Sequence, residues 1–361
     1  MRILHLPRNV AGAASGLVAA ERALGHDSKT LSISPSRRGF PADIERNVYA
    51  NGVVNRVVSS LKLVNEVRAT YDILHFYFGS SLLHYPRIGL HHLDLPFYSA
   101  NTKKVFTYQG CDARQKYPTM LRNNEVGNEF AACFDENCYD GACNSGRRDL
   151  QRRRAIDKVA KHADYIFAVN PDLLFFLPRE KSIFLPYVIH GYHDLSPKRT
   201  PFVQNDVFHI VHAPTNRAAK GTKHLLRAID RIQDRFGSRV KFTLIENLDV
   251  HDARIAYKDA DVIVDQLLVG WYGGLSVEAM RLGIPVVCYI NPMHLAMVPE
   301  KMAEDMPIIQ ADPKTIEQVL IDLINNRDRL PELAKAGLQF CQRWHDPEKV
   351  SLFVLEKTLS N

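Results

Sequence analysis

Residues 261–287 of the chain read DVIVDQLLVGWYGGLSVEAMRLGIPVV and decide its fold. The segment opens on a short apolar run with three β-branched residues, which is typical of a strand covered on both faces in a parallel sheet. Gly273 and Gly274 follow, and they let the backbone turn tightly and come close to a ligand. The N–H groups that begin the next helix form an anion site, and Ser276 could help to cap this start. The segment therefore predicts a strand, a turn and a helix that hold a phosphorylated ligand.

One carboxylate belongs to this unit. Glu278 lies in or near the first turn of the predicted helix, where the helix dipole stabilises its charge and where it can accept hydrogen bonds from the vicinal hydroxyls of a ribose. Gly283 ends the helix, and residues 284–290 form the next predicted strand. An ordinary strand, turn and helix whose glycines serve only packing has the same spacing, so spacing alone leaves both interpretations open.

A second loop carries cations. Residues 212–226 read HAPTNRAAKGTKHLL and join a predicted strand to a predicted helix. Arg217 and Lys220 come immediately before Gly221 and the helix start, where cations can clamp a diphosphate, Arg by bidentate bonds and Lys as a point charge. Both loops follow strands, and α/β sheets bind ligands beyond the carboxyl ends of their strands. Isolated cations are usually only solvated, which is the alternative.

Strand and helix patterns alternate in two series along the 361 residues, from a first strand at 2–7 and again from residue 208. Such alternation predicts a parallel sheet in each series, and a chain of this length with 46% hydrophobic residues can build two α/β domains. The last helix either packs back onto the first domain or finishes the second. The predicted boundaries are a first domain over 1–190, a linker over 191–206, a second domain over 207–345 and the last helix over 346–361.

These segments resemble the retaining glycosyltransferases of the GT-B fold, of the family 4 type, also called glycosyl transferases group 1. Glu278-Ala279-Met280 and the Gly-x-Pro-Val-Val strand at 283–287 match the second half of their donor-sugar signature. The first acid of that signature falls on Gly270, and Asp265 or Gln266 nearby could substitute for it. The Lys-Gly pair that ends the second loop matches their diphosphate-binding loop, although their Arg often stands further from the Lys. The resemblance covers nearly the whole chain and is strongest over 210–287.

The resemblance implies two Rossmann-like, doubly wound parallel-sheet domains that face an interdomain cleft. It also implies a site. The catalytic residues would be Lys220, Arg217 and Glu278. The contacts to the nucleotide sugar would come from both loops of the second domain and from the small-residue loop at 9–16, namely Gly12, Ser15, Gly16, Thr215, Asn216, Asp265, Gln266, Gly273, Gly274, Leu275 and Ser276. The small-residue loop departs from the full dinucleotide fingerprint, so a tight turn without ligand contact is its alternative interpretation.

A third segment, TYQGCDAR at 107–114, resembles the GT-B strand end that commonly reads His-Gly-x-Asp-x-Arg. Gln109 stands where the His is usual, and a glutamine can hydrogen-bond a sugar but cannot carry a proton at neutral pH. The prediction therefore excludes an acid–base role for Gln109. Asp112 and Arg114 are candidate sugar or acceptor contacts, with helix capping and ion pairing as the alternative.

Four of the six cysteines crowd into an irregular loop over 109–145 that we assign to the first domain. Their spacing fits the looser end of structural zinc ligation, and a long irregular loop is hard to order without a metal or a cross-link. An iron–sulfur cluster and unrelated thiols are the alternatives. Cys288 and Cys341 lie in apolar contexts and are predicted core residues. The predicted metal ligands are Cys111, Cys133, Cys138 and Cys143.

The helix predicted over 147–162 is rich in arginine and lysine, and the whole chain has a net charge of +6. Such a helix is usually a solvated face, but it could also contact anionic lipid headgroups or a polyprenyl-phosphate acceptor. No RNA- or DNA-binding motif accompanies the charge, and no stretch approaches the roughly 18 apolar residues that span a bilayer. We therefore expect a protein of the cytoplasm or of the inner face of the membrane, with no nucleic acid partner.

Together these features predict transfer of a hexose-like sugar from a nucleotide-diphosphate sugar to an acceptor hydroxyl, by resemblance with retention of configuration and without a catalytic metal. The expected acceptor is a saccharide or a lipid-linked saccharide in the synthesis of cell-envelope polysaccharide or glycoconjugate. A GT-B sugar-nucleotide epimerase is one alternative. A degenerate GT-B scaffold that binds nucleotide or a partner without catalysis is the other, and Gly270 and Gln109 are the residues that favour it.

Overall fold

The computed structural model describes residues 1–36, 38–50, 52–197 and 207–360. Contacts divide the chain into two compact units. The first unit comprises Met1–Gln115, Arg147–Gly191 and Asp346–Asn361, and the second comprises Lys116–Gly146 and Tyr192–His345. Most of the linker predicted at 191–206 lies outside the described residues.

Both units alternate strands with helices. The strands are β1 (Arg2–Leu6), β2 (Asp27–Ser32), β3 (Ile44–Glu45), β4 (Ile73–Tyr77), β5 (Lys103–Tyr108), β6 (Tyr165–Ala168), β7 (Ser182–Phe184), β8 (Phe208–His212), β9 (Val240–Leu244), β10 (Val262–Val264), β11 (Val286–Cys288) and β12 (Ile309–Gln310). The helices are α1 (Ala13–Ala23), α2 (Gly52–Val67), α3 (Lys116–Glu125), α4 (Arg147–His162), α5 (Arg217–Lys220), α6 (Thr222–Phe236), α7 (Val250–Tyr257), α8 (Gly274–Arg281), α9 (Pro292–Leu295), α10 (Glu300–Glu304), α11 (Ile316–Asn325), α12 (Leu330–Trp344) and α13 (Pro347–Leu359). Short 3-10 turns lie at Pro86–Ile88, Leu95–Phe97, Ala132–Phe134, Pro171–Phe175, Tyr192–Asp194, Gly237–Arg239 and Arg327–Arg329.

The first unit holds a sheet of order β3-β2-β1-β4-β5-β6-β7 in which every pair is parallel. Leu4, Phe76, Phe106 and Ile166 are fully buried, as expected for strands covered by helices on both faces. In this strand order the chain leaves β1 toward β2 on one side and returns to β4 on the other, so the sheet has its switch point between β1 and β4.

The second unit holds a sheet of order β12-β11-β10-β8-β9, again parallel throughout. Its core packs the strands against amphipathic helices such as α6, which buries Leu225, Ile229 and Ile232 on one face. The switch point of this sheet lies between β8 and β10, because the chain proceeds from β8 to β9 on one side and returns to β10 on the other. The predicted fold class, α/β with two Rossmann-like parallel sheets, is confirmed.

The structure divides the chain differently from the sequence in one segment. Lys116–Gly146, which carries most of the cysteine-rich loop, belongs to the second unit and not to the first. The reason lies in its contacts: the Ala132 N–H donates to the Leu268 carbonyl at 3.1 Å, and Phe130 packs edge-on against Tyr289 with ring centroids 6.0 Å apart. Sequence order alone could not reveal this placement.

The last helix belongs to the first unit, where α13 packs against α1. Its start is well defined, because the Asp346 carboxylate accepts hydrogen bonds from the backbone N–H groups of Glu348 and Lys349 at 3.0 and 3.2 Å. No helix in the described ranges combines the length and the apolar character that crossing a bilayer requires.

Candidate functional site

A charged pair occupies the switch point of the second sheet. Lys220 ends the short helix α5 after β8, and Asp265 follows β10 directly, so the two side chains come from the two loops that flank this point. The Lys220 Nζ lies 2.6 Å from Asp265 Oδ1. The lysine side chain is 16% exposed and the aspartate is fully buried. The pair therefore joins both predicted loops at the place where α/β sheets bind ligands.

Asp265 is satisfied on both oxygens. Its Oδ2 accepts hydrogen bonds from the Gly273 N–H and from the Ser276 hydroxyl, both at 2.7 Å. Burial on its own would raise the pKa of Asp265, but Lys220 and these hydrogen bonds hold it below its usual value. Asp265 is therefore a carboxylate that positions Lys220 and the glycine turn.

Steric crowding explains why a glycine stands at position 273 of this turn. A Cβ at this position would lie 3.3 Å from Asp265 Oδ2 and 3.6 Å from Lys220 Nζ, so a side chain would crowd the charged pair. Gly274 and Leu275 begin α8, and the N-cap position falls on Gly273. Ser276 therefore lies inside the helix, where it does not cap the helix start, and its hydroxyl donates to Asp265. The predicted capping role is wrong for this reason.

Glu278 lies just beyond the first turn of α8, whereas the sequence predicted a position in or near that turn. Its Oε1 accepts from the Arg254 guanidinium at 2.7 Å, and its Oε2 accepts from the Tyr257 hydroxyl. Both partners belong to α7, which follows β9. Glu278 is 8% exposed, so its orientation is fixed by two neighbours rather than by the helix dipole. Each carboxylate oxygen can accept two hydrogen bonds, so one acceptor position on each remains for a ligand hydroxyl.

Gly270 stands where the first acid of the donor-sugar signature was expected, and the structure leaves no room for a side chain there. Its φ is +81°, and a Cβ would lie 2.9 Å from Asn291 Cβ and 2.9 Å from His294 Cε1. The Gly270 carbonyl accepts from the Asn291 N–H at 3.0 Å and lies 2.7 Å from His294 Nδ1. A carboxylate could not be restored at this position without moving its neighbours.

The remaining loop residues of the second unit are arranged around α5. Asn216 caps this helix through a hydrogen bond from the Ala219 N–H at 2.9 Å, while Thr215 is exposed. Arg217 points to Glu246, with its Nε 2.9 Å from Oε1, and its side chain is 57% exposed. The Glu246 contact raises the pKa of Arg217. Arg217 is thus an exposed cation on the same short helix as Lys220, and its carboxylate partner was not predicted.

Gln266 follows β10 and Asp265, and it is buried, with 3% of its surface exposed. Its backbone carbonyl accepts from the Tyr289 N–H at 2.8 Å, which ties the loop after β10 to the neighbouring chain segment. His212, which the sequence analysis did not single out, ends β8 and bridges the Val264 carbonyl and the Thr222 hydroxyl at 2.7 and 2.8 Å. Burial lowers the pKa of His212 to about 4, so the ring is neutral and acts as a fixed link between the two loops.

The glycine loop of the first unit has a packing explanation. A Cβ at Gly12 would lie 2.7 Å from His190 Cβ, and one at Gly16 would lie 2.7 Å from the Ile189 carbonyl oxygen. Ser15 accepts a hydrogen bond from Asn9 at 2.9 Å and donates to the Gly12 carbonyl at 3.1 Å. These contacts account for the small residues in this loop without a ligand.

The polar groups after β5 in the first unit are also engaged. Asp112 accepts from the N–H groups of Gln109 and Gly110, at 3.0 and 2.6 Å, which shapes the turn. Burial outweighs these bonds and raises the pKa of Asp112 to about 6. Arg114 forms a buried bidentate ion pair with Asp172 at 2.5 and 2.9 Å. Gln109 donates to the Val10 carbonyl at 3.3 Å, and its Oε1 is buried with no partner in the described part of the chain.

The predicted metal ligands are the four clustered cysteines. Across the described ranges, no three His, Cys, Asp or Glu side chains form a group that could hold a metal ion, so ligation by Cys111, Cys133, Cys138 and Cys143 is not shown and stays a prediction. Packing explains part of the segment: Cys138 packs with Phe130 against a cluster of Ala132, Ala219 and Leu268. The remaining two cysteines of the chain, Cys288 and Cys341, are fully buried in the core, as predicted.

The basic helix α4 presents much of its charge to solvent. Ala155, Ile156 and Val159 form its buried face, while Arg147, Arg148, Arg153, Arg154 and Lys161 are exposed. Arg152 is largely buried, and its Nη1 lies 3.5 Å from Asp149 Oδ1. This pattern fits a solvated helix, and it also fits a helix that faces an anionic surface.

Comparison with known proteins identifies the fold. No protein-family model matches the sequence, and no curated protein matches it. Sucrose-phosphate synthase from Thermosynechococcus elongatus superposes with a TM-score of 0.62 at 14% identity, over 99% of this chain and 98% of that chain. The Anabaena protein HepE in complex with UDP-glucose gives a TM-score of 0.62 at 12% identity over 100% of both chains. A UDP-GlcNAc 2-epimerase from Neisseria meningitidis bound to UDP-GlcNAc gives 0.54 at 13% identity, again over 100% of both.

These likenesses show the fold alone, and the fold is GT-B. This confirms the predicted fold and, of the predicted resemblance, the likeness to proteins of the GT-B fold.

Proposed function

We propose that the chain is a glycosyltransferase that uses a nucleotide-diphosphate sugar as donor. The observation that carries this proposal is the pair formed by Lys220 and Asp265 at the switch point of the second sheet, joined to the glycine turn that starts α8. A lysine fixed by a buried carboxylate beside free helix N–H groups fits a diphosphate. The GT-B fold and neighbours solved with UDP-glucose or UDP-GlcNAc support the same ligand class.

The residues of the second unit would divide the work as follows. Lys220 keeps two of its three N–H donors for the diphosphate, because one points to Asp265. Arg217 adds an exposed charge, and the N–H groups of Gly274 and Leu275 add neutral donors, since those of Gly273 and Ser276 already donate to Asp265 and to the Gly273 carbonyl. Glu278, oriented by Arg254 and Tyr257, would hold the ribose hydroxyls through its remaining acceptor positions. These contacts place positive potential where the leaving diphosphate develops charge.

We propose that transfer retains the anomeric configuration. The acceptor oxygen forms a bond to the anomeric carbon on the face from which the diphosphate leaves, the bond to the diphosphate oxygen breaks, and the acceptor proton passes to that leaving oxygen. This route needs no protein nucleophile and no catalytic metal. The family 4 type, the hexose-like donor sugar and a saccharide or lipid-linked saccharide acceptor in cell-envelope synthesis belong to this proposal, as does contact of α4 with an anionic membrane surface.

Gly270 bears on the sugar contact. Asp265 uses both oxygens on Lys220, Ser276 and the Gly273 N–H, so it is a poor substitute for the missing first acid. Gln266 is the remaining candidate for the transferred sugar. The absence of a carboxylate also supports a second function, a scaffold that binds nucleotide sugar without turning it over.

Product analysis separates these possibilities. The purified chain would be incubated with UDP-, GDP-, ADP- and CDP-sugars and a mixture of saccharide acceptors, and the products followed by NMR. The proposed function predicts one nucleoside diphosphate released together with a new glycoside of the donor configuration. An epimerised sugar nucleotide would indicate an epimerase, and nucleotide binding without any product would indicate the scaffold. Lys220→Ala is the inactive reference, and the exposed Lys241→Ala is the matched control.

A further inference from the structure

The switch point of the first sheet carries polar groups that none of the roles above uses. The loop after β1 contributes Arg8, and the loop after β4 contributes His84, His91 and His92. Arg56 from α2 joins them, since its guanidinium lies over the Tyr85 ring at 4.5 Å from the centroid. We call these five side chains, Arg8, Arg56, His84, His91 and His92, the histidine cluster.

Several buried atoms of the histidine cluster have no hydrogen-bond partner among the described residues. They are Arg8 Nε, His84 Nδ1, both ring nitrogens of His91 and His92 Nε2. His91 is 6% exposed and His92 is fully buried, so solvent does not satisfy them freely. Buried polar atoms are nearly always paired, and leaving one unpaired costs about 1–3 kcal/mol. Five such atoms in the loops that follow β1 and β4 point to a ligand that forms hydrogen bonds with them.

The histidines are held in place by their own segment. Asp94 accepts from the Ser81 hydroxyl at 2.6 Å and from the Leu82 N–H at 3.0 Å, and Tyr85 and Leu90 pair across the turn. The His84 and His92 rings stack with centroids 4.1 Å apart. The site is therefore built from an anchored turn.

One tautomer follows from these bonds. The Ser81 proton is given to Asp94, so the contact of 3.0 Å between Ser81 Oγ and His92 Nδ1 requires the histidine N–H to donate. The neutral His92 ring then carries its lone pair on Nε2, and that atom needs a ligand donor such as a hydroxyl. The Arg8 Nε–H needs an acceptor. The ligand should therefore offer both anionic oxygens and a hydroxyl.

The charges around the cluster select against a metal cation. The pKa of His84 is lowered to about 3, chiefly by burial and then by electrostatic repulsion from His91, Arg8 and Arg56. Burial, followed by Arg154 and Lys158, lowers the pKa of His91. The rings are thus neutral within a positive field, which repels a cation and attracts an anion. No metal-ligand grouping is found here or elsewhere in the described ranges.

We propose that the histidine cluster binds a phosphomonoester group, whose oxyanions accept from Arg8 and Arg56 and whose hydroxyl donates to a histidine ring. We assign this phosphomonoester group to the acceptor substrate, and that assignment rests on the proposed glycosyl transfer. The proposal of an anion site does not depend on the proposed function. The source can be a phosphorylated sugar or the phosphate headgroup of a lipid, and Ile88 and Leu90, 71% and 43% exposed beside the cluster, make the lipid worth testing.

The test is calorimetric titration of the full chain with inorganic phosphate, glucose 6-phosphate and dioctanoyl phosphatidic acid. Arg56→Gln and His84→Gln should each weaken phosphate binding about tenfold, the loss expected for one hydrogen bond to a charged group. The matched control is Lys62→Gln, which removes an exposed charge from the same helix and should leave the affinity unchanged. In ring-labelled histidine NMR, phosphate should raise the pKa of His84, because the bound anion offsets the field of Arg8 and Arg56.

The outcomes separate cleanly. Binding of all three probes would show that the phosphate group suffices. Binding of glucose 6-phosphate without the phosphatidic acid would indicate a phosphorylated sugar, and the reverse would indicate a lipid headgroup. Equal weakening by Lys62→Gln, unchanged affinity in both cluster variants, or binding of Zn²⁺ in place of every phosphate would overturn the proposal. Nucleotide titration of the same samples tests the proposed function independently. If nucleotide binds but phosphate does not, only the proposal for the histidine cluster is wrong. If phosphate binds but nucleotide does not, only the donor assignment is wrong.

Discussion

The two sheets have switch points of the same kind, but their polar groups are satisfied to different degrees. At the second, Lys220 and Asp265 pair at 2.6 Å, and Ser276 and the Gly273 N–H complete the carboxylate. At the first, the histidine cluster leaves several buried nitrogens without partners among the described residues. A closed polar network holds one geometry by itself, whereas an open one is costly until a ligand completes it. The second site is therefore preorganised, and the first depends on its ligand.

The largest expected effect comes from breaking the closed network. Lys220→Ala leaves the buried Asp265 without its cation, which should lower the free energy of unfolding of the second unit by about 3 kcal/mol. It should also weaken nucleotide binding roughly 100-fold, since a charge-assisted contact to the diphosphate is lost. Urea unfolding and calorimetry measure the two quantities. The double variant Lys220→Ala, Asp265→Asn should recover stability but not binding, because the amide oxygen still accepts from the Gly273 N–H and the Ser276 hydroxyl while no unpaired charge is buried. Stability unchanged in the single variant would show that the pair contributes nothing.

The next effect concerns Gly270. Gly270→Ala combines a positive φ with a Cβ 2.9 Å from Asn291, so we expect a loss of about 2 kcal/mol in thermal or urea unfolding. Gly25→Ala is the matched control, because Gly25 has a φ of +86° but nothing within 4 Å of an added Cβ. It should cost only about 1 kcal/mol. Equal costs for the two variants would mean that Asn291 and His294 do not restrict the position, and that a restored acid there is worth testing.

A smaller effect should follow from Glu278. Glu278→Gln keeps the shape but removes the charge that Arg254 and Tyr257 orient, so nucleotide affinity should fall about tenfold in calorimetry. The removal of the Tyr257 hydroxyl by Tyr257→Phe should cost less, because Arg254 still fixes the carboxylate. If the tyrosine variant loses as much affinity as the glutamine variant, the orientation of Glu278 matters more than its charge.

The smallest effect contrasts two buried acids. The pKa of Asp265 lies below its ordinary value of 3.8, so its contribution to stability is present above that pH and is lost as the pH falls below it. The pKa of Asp112 is raised from 3.8 to about 6, so the native state holds an extra proton and stability falls as the pH rises through this window. Asp112→Asn should remove that fall, of about 1 kcal/mol, in urea unfolding of the first unit between pH 4 and 5. A variant with an unchanged pH profile would show that Asp112 titrates normally.

Part of the difference between the two switch points could be predicted from the sequence. Alternating strand and helix patterns predicted two parallel sheets, and the glycine turn with Lys220 and Glu278 predicted which loops of the second sheet to inspect. These features are local, so spacing and residue type suffice. The partners are not local: Asp265 lies 45 residues from Lys220, and Arg254 lies 24 residues from Glu278, so only the folded chain pairs them.

The sequence was least informative where packing or tertiary context decides. Crowded cysteines suggested a metal, but Cys138 packs in an apolar cluster and its segment joins the second unit. The histidines of the turn after β4 carry no motif, and their importance appears only when their ring nitrogens are found buried and unpartnered in the described chain. The donor contacts predicted for Gly12 and Gly16 stay predictions, and the close approach of residues 188–190 gives both glycines a packing reason that the sequence did not reveal.

The central claim is that the switch point of the second sheet binds a nucleoside diphosphate through Lys220. The most direct measurement is calorimetric titration of UDP, GDP, ADP and CDP into the intact chain, with Lys220→Ala and Glu278→Ala as variants and Lys241→Ala as the control. The account predicts that one nucleotide binds tightly, that both site variants lose this binding and that the control keeps it. Failure of all four nucleotides to bind, or equal binding by the wild-type chain and Lys220→Ala, would contradict it.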